Sequence, residues 1–195
     1  ELPGALLQVV DKDGNVVEEW ISTDKPHEIV AKLVVDESYV LREVRPADGW
    51  AYAEDVPFKV SHDGTVDYVK MEDKPTHVVI SKQEITGSKE LPGCTLQVID
   101  KNGNVVDEWF STDQPHEIKE KLIADEEYTL REVRPADGWA YAEDIPFKVS
   151  HDGTVDQVKM EDKPTHVVIS KQEITGSEEL PGCTLQVIDK NGNVV

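Results

Sequence analysis

Basic residues are scarce in this chain. Its 195 residues hold 20 lysines and arginines against 40 aspartates and glutamates, a formal net charge of −20 at pH 7. A phosphate-backbone partner needs a basic face, so the charge argues against nucleic acid as a partner, and against an anionic membrane surface with it. Cysteine is nearly absent, and two thiols cannot frame a disulfide scaffold. No apolar run approaches the roughly 18 residues of a membrane-spanning helix, so no membrane insertion is expected in this segment. No signal peptide is visible, and residue 1 reads as an arbitrary cut. Phosphate loops, nucleophile elbows and zinc signatures are missing too, so no cofactor, no metal and no turnover enzyme is implied. The six histidines are three repeated singles, His27, His62 and His77 with their copies, and they read as surface polar groups.

What is present is repetition. "ELPGALLQVVDKDGNVV" opens the chain, and "ELPGCTLQVIDKNGNVV" occurs in the middle and again at the end. Leu2, Leu91 and Leu180 set the period at 89 residues, with about four positions in five identical between the first two copies. A period this long is one small domain rather than a solenoid unit. The expected organisation is a first repeat over 1–75 that lacks its N-terminal strand, a complete second repeat over 76–164, and the N-terminal strands of a third over 165–195. The chain then reads as a window on a longer tandem array. The joint falls in "EDKPTHVV", and so short a linker predicts a stiff connection.

Within a repeat, strand signals are dense. Val78, Ile80 and Lys82 alternate in "HVVISKQE". Cys94, Leu96 and Val98 share a face, as do Tyr128, Leu130 and Glu132. "DKNGN" is a hairpin turn, since Asn-Gly supplies the positive φ such turns need. Its copy "DKDGN" has the look of a calcium loop, but Ser22 stands where the bidentate acid is expected, which favours the turn. "VVDEWF", "IPFKV" and "VDQVKMED" complete the set. Short strands at this spacing predict an all-β fold, tandem antiparallel β-sandwich domains of about seven strands each. "PHEIKEKLIADEE" is the one weak helical candidate.

Three ionisable residues break the inward-apolar rule. Lys82 is in phase with Val78 and Ile80, Glu132 with Tyr128 and Leu130, and Asp162 with Val158 and Met160. Burying a charge costs several kcal/mol unless it is paired or neutralised. A lysine, a glutamate and an aspartate at three such points look like a set. The bland alternative is a buried ion pair, or strand-end side chains that reach back to water.

The "ISK" strand, the "E-x-x-P-x-D-G-aromatic" loop and the "M-x-D" strand carry a resemblance that runs through the whole repeat in order. The chain resembles the collagen-adhesin B-type repeat, also called the SpaA-like prealbumin-type domain, and is similar to the isopeptide-forming parent of SpyTag and SpyCatcher. The resemblance implies a prealbumin-like, inverse immunoglobulin-like sandwich. It also implies roles: Lys82 as nucleophile, Asp162 as electrophilic carboxyl, Glu132 as the protonated go-between. Burial, which disfavours the charged form of each group, is consistent with that. The product would be a Lys82–Asp162 amide, formed once per domain. Glu43 and Asp73 hold the matching places in the first copy, and Lys171 in the third. Many relatives have Asn where Asp162 stands, so here water would leave rather than ammonia. The usual "A-P-D-G-Y" of the loop reads Pro135-Ala136-Asp137-Gly138-Trp139.

Cys94 and Cys183 fall at a core-facing site that holds Ala5 in the first copy, and read as small buried thiols, with an interchain disulfide as the alternative. Trp20, Trp50, Trp109 and Trp139 read as core or joint packing, or else as an exposed binding patch. The function that fits is a structural repeat of a Gram-positive surface stalk, pilus-like fibre or adhesin, extracellular and cell-wall associated. Its partners would be neighbouring repeats and, in a fibre, other copies of the chain. The rival readings are a ligand-binding adhesin module, recognising host protein or glycan, and an accessory β-sandwich of a secreted carbohydrate-active enzyme.

Overall fold

Eleven strands and no helix make up the computed structural model, which describes residues 1–195. The first repeat supplies β1 (Leu6–Asp11), β2 (Val16–Ile21), β3 (Ser38–Arg45) and β4 (Val56–Lys59). The second supplies β5 (His77–Glu84), β6 (Thr95–Asp100), β7 (Val105–Phe110), β8 (His116–Lys119), β9 (Glu127–Arg134), β10 (Ile145–Lys148) and β11 (Val155–Asp162). These seven strands form two sheets, β10-β9-β6-β7 and β11-β5-β8. Their alternate inward residues meet in one core that includes Val78, Ile80, Leu96, Val98, Leu130 and Met160. The all-β sandwich expected from the alternation is what forms.

Two expectations are corrected. The sheet is not wholly antiparallel: β11 pairs with β5 in parallel, from Val155 opposite His77 to Asp162 opposite Glu84. Alternation assigns faces but says nothing of strand direction, so the sequence could not show this. The helical candidate over 115–127 is instead β8 and a turn. Glu120 and Asp125 take φ values of 53° and 66°, which no α-helix tolerates. Ile118 and Leu122 still turn into the core.

The hairpin reading of 11–15 holds. Asp11 Oδ1 accepts the Asp13 and Asn15 amides, and the Asn15 carboxamide donates to Asp11 Oδ2. That carboxylate is used up by its own turn.

The first repeat builds only the sheet β2-β1-β3-β4. Residues 66–73, the copy of β11, and 27–30, the copy of β8, are not strands. Their second-repeat counterparts, β11 and β8, both pair with β5, which has no counterpart within 1–75. Residues Thr165–Val195 are a compact unit of their own, held by isolated bridges at Gln172–Glu179 and Ile188–Val194. Here the copy of β5 is present, but the strands that would flank it have no counterpart in 165–195.

Candidate functional site

The parallel pairing of β5 and β11 sets up the site. Lys82 stands opposite Met160, and Asp162 lies two residues further on the same inward face. That offset is about 7 Å along a strand, within reach of a lysine's four-carbon stem. Strand β9, in the facing sheet, points Glu132 at the same spot. All three are buried: Lys82 is 2% exposed, Glu132 6% and Asp162 1%. Lys82 Nζ contacts Asp162 Oδ1 and lies 3.0 Å from Glu132 Oε1. Glu132 Oε1 makes this ion-pair contact but has no hydrogen-bond partner. Glu132 Oε2 is fixed, accepting the Ala142 amide at 2.9 Å. Burial pushes the Asp162 carboxyl above the usual range; the lysine beside it opposes that and the Glu132 charge adds to it.

The lysine strand is pinned locally. Glu90 accepts the Lys82 amide at 2.9 Å and the Gln83 carboxamide at 3.0 Å, and the Leu91 amide donates to the Lys82 carbonyl. The same contacts recur at Lys171, Glu179 and Leu180. The turn that holds the lysine backbone is therefore encoded locally and forms without the sandwich around it.

Cys94 completes the pocket. Its Sγ lies 3.8 Å from Asp162 Oδ2, and burial pushes the thiol up to about 11, so it stays neutral. Ser111 Oγ accepts the Cys94 amide and donates to the Leu91 carbonyl, which holds this end of the core together. Cys94 Sγ and the two carboxyls lie within 4.8 Å of one another, a spacing a metal could use. Lys82 Nζ is already in contact with both carboxyls there.

The other residues singled out in the sequence stand apart from this cluster. Glu43 is buried in the first repeat, with Oε2 accepting the Ala53 amide at 2.8 Å and Oε1 unpartnered. Burial, with the Asp73 charge adding to it, pushes Glu43 up to about 7, and burial raises Asp73 as well. No lysine joins this pair. Lys171 and Cys183 are exposed, the latter contrary to the core-facing expectation, because 165–195 builds no sandwich to cover them.

Trp109 and Trp139 pack against the second core, and Trp20 against the first. Trp20 and Trp109 also stack on His27 and His116, with ring centroids 4.3 and 4.1 Å apart. His27 is exposed and His116 half-buried, and each also pairs with an acid, Glu18 and Asp107, so their polar surface role stands with an aromatic stack added to it.

Sequence reasoning missed three of the site's contributors. Cys94 was legible as inward-facing, but its meeting with Asp162 depends on which strands are neighbours. Glu90 had a signal, since a glutamate stands eight residues after the lysine in both copies. The Ala142 amide had none, because any residue type supplies one.

A sequence model of the SpaA prealbumin-like fold domain matches residues 1–75 and 76–164. The chain belongs to that family. No curated protein sequence matches it. Among solved structures it is similar to the Bacillus anthracis TIE protein, at 18% identity and a TM-score of 0.49; the match covers 100% of this chain and spans only 38% of that protein. The shaft pilin SpaA of Lactobacillus rhamnosus GG is similar at 13% identity and a TM-score of 0.42, over 86% of this chain and 90% of the pilin. GBS52, the minor pilin of the Gram-positive pathogen Streptococcus agalactiae, is similar at 12% identity and 0.43, over 88% and 87%. In this prealbumin-like domain the buried Lys-Glu-Asp cluster spans the two sheets. No helix in the chain is long and apolar enough to cross a membrane.

Proposed function

We propose that the second repeat crosslinks itself through a Lys82–Asp162 amide. The observation that carries this reading is the burial of one lysine and two carboxyls in mutual contact, with no water-facing side. In the reactive state Glu132 holds a proton and Lys82 is a neutral amine. The amine nitrogen attacks the Asp162 carboxyl carbon while Glu132 polarises its oxygen. Asp162 reacts as the protonated acid: its C–OH bond breaks, the hydroxyl leaves with the proton lost by the nitrogen as one water, and Glu132, which relays that proton, ends as it began. A lysine, an acid and one lost water balance the step. Contact geometry provides the effective molarity that an amine and a carboxylate lack in solution. Digestion of the purified chain should then release one branched peptide joining the Lys82 and Asp162 segments. Two linear peptides in its place would contradict the proposal.

The reaction occurs once per repeat, so the protein is a structural element rather than an enzyme. Residues 1–75, 76–164 and 165–195 are read as successive copies, with Glu43, Asp73 and Lys171 in the same roles in theirs. A bond between the first and last strands of each sandwich closes the fold against pulling and proteolysis. Near-identical copies in tandem suit a spacer. The role proposed is that of a repeat in a surface stalk or pilus-like fibre of a Gram-positive cell wall, in contact with neighbouring repeats and with other copies of the chain.

A further inference from the structure

The contact between the first two repeats is built from specific residues. In the first repeat, the loop around Gly49 turns at φ 85°. A side chain there would place its Cβ 2.5 Å from the Glu120 carbonyl oxygen of the second repeat, so only glycine fits. Thr76, buried in the connection, donates its amide to the Gly49 carbonyl at 2.9 Å. Its hydroxyl lies 3.0 Å from that same oxygen and 2.7 Å from the Leu122 carbonyl. The Glu120 amide returns to the Thr76 carbonyl at 3.1 Å. On the other side Tyr52 stacks on His151, centroids 4.1 Å apart, and donates its amide to the His151 carbonyl at 3.0 Å. Gly153 closes the fit, since a Cβ there would meet Lys74 at 2.7 Å and Ala51 at 3.2 Å.

The second copy of each sequence shows what the joint covers. Ala51, in the joint, is 0% exposed, whereas its copy Ala140 is exposed. Tyr52 is half-buried, and its copy Tyr141 is 65% exposed. Leu122 is 1% exposed, and its first-repeat copy Leu33 is half-buried. A Cβ on Gly64, the copy of Gly153, would meet nothing within 4 Å. One repeat thus carries both halves of the joint, at different places on its surface.

We infer that successive copies of this repeat lock head to tail through this joint as one rigid body, and that Ala140 and Tyr141 form the seat for a further copy. A short linker alone limits reach. Two backbone-tight glycines, a buried threonine bonded to both sides and an aromatic stack also fix rotation. An interface of this head-to-tail kind is heterologous, so each copy can receive the next through the same pair of surfaces. The inference stands whether or not the Lys82–Asp162 bond forms.

The test uses the whole chain with Cys94→Ala and Cys183→Ser, and spin labels at Val16→Cys and Val105→Cys, both exposed sites. Pulsed dipolar spectroscopy should give one narrow distance distribution. Adding Gly49→Val should broaden it while each repeat keeps its own unfolding transition. In a chain carrying one more complete copy, the reactivity of Tyr141 towards hydroxyl radicals should fall to the level of the half-buried Tyr52. A broad distribution without the Gly49 change, a distribution unmoved by Gly49→Val, or a Tyr141 as reactive in the longer chain as in this one would each overturn the inference.

Discussion

Glu132 does two jobs at the scale of single residues. One oxygen is fixed by the Ala142 amide, and the other is left without a hydrogen bond beside the lysine. Glu132→Gln keeps the shape and removes the proton shuttle, so it should fold and leave Lys82 and Asp162 unjoined in the branched-peptide digest. A branched peptide from Glu132→Gln would remove the go-between from the mechanism. The first repeat offers a pH test. Glu43, ordinarily near 4.5, is pushed up to about 7 by burial, so it binds its proton more tightly folded than unfolded. Its contribution favours folding below about 4.5 and is lost as pH rises towards about 7; Asp73, also raised, acts with the same sign. Urea denaturation at about pH 5 and about pH 8 should therefore show the first repeat less stable at the higher pH. Glu43→Gln should shrink that difference, and an undiminished difference would put its origin elsewhere. The site's three residues were legible because each broke the inward-apolar rhythm of its own strand. What was not legible was Cys94 against Asp162, a contact between strands far apart in sequence.

At the scale of elements, β5 decides whether a repeat has one sheet or two. It is the middle strand of β11-β5-β8, and where a repeat lacks it the flanking segments are not strands. A strand without partners leaves its backbone groups to water and gains nothing for its ordering cost. Ile80 lies on β5 at 2% exposure. Ile80→Ala should cost the second repeat about 2–5 kcal/mol, the usual cost of truncating a buried aliphatic side chain. Urea denaturation should show the loss in the second repeat's transition alone; an equal loss in the first would mean the two unfold as one unit. The strand positions were readable because hairpin turns and alternation are local. The parallel direction of β11 and the replacement of the expected helix by β8 were not. Direction depends on the whole sandwich, and Ile118 and Leu122 at the spacing of a helical turn also suit a strand followed by a turn with positive φ at Glu120.

For the whole molecule, the proposed bond would join residues 80 positions apart. By the loop-closure argument applied to disulfides, a crosslink over such a span stabilises by about 4–5 kcal/mol. The melting temperature of the second repeat should therefore fall clearly in Glu132→Gln, and an unchanged value would mean the bond adds nothing to the fold. The central claim is tested most directly by the intact mass of the purified chain, measured beside a Lys82→Ala control. The account predicts a chain lighter than its sequence by one water, with the control at its full sequence mass. A wild-type chain at full sequence mass would contradict it, leaving a prealbumin-like sandwich with a buried ion triad and no covalent clasp.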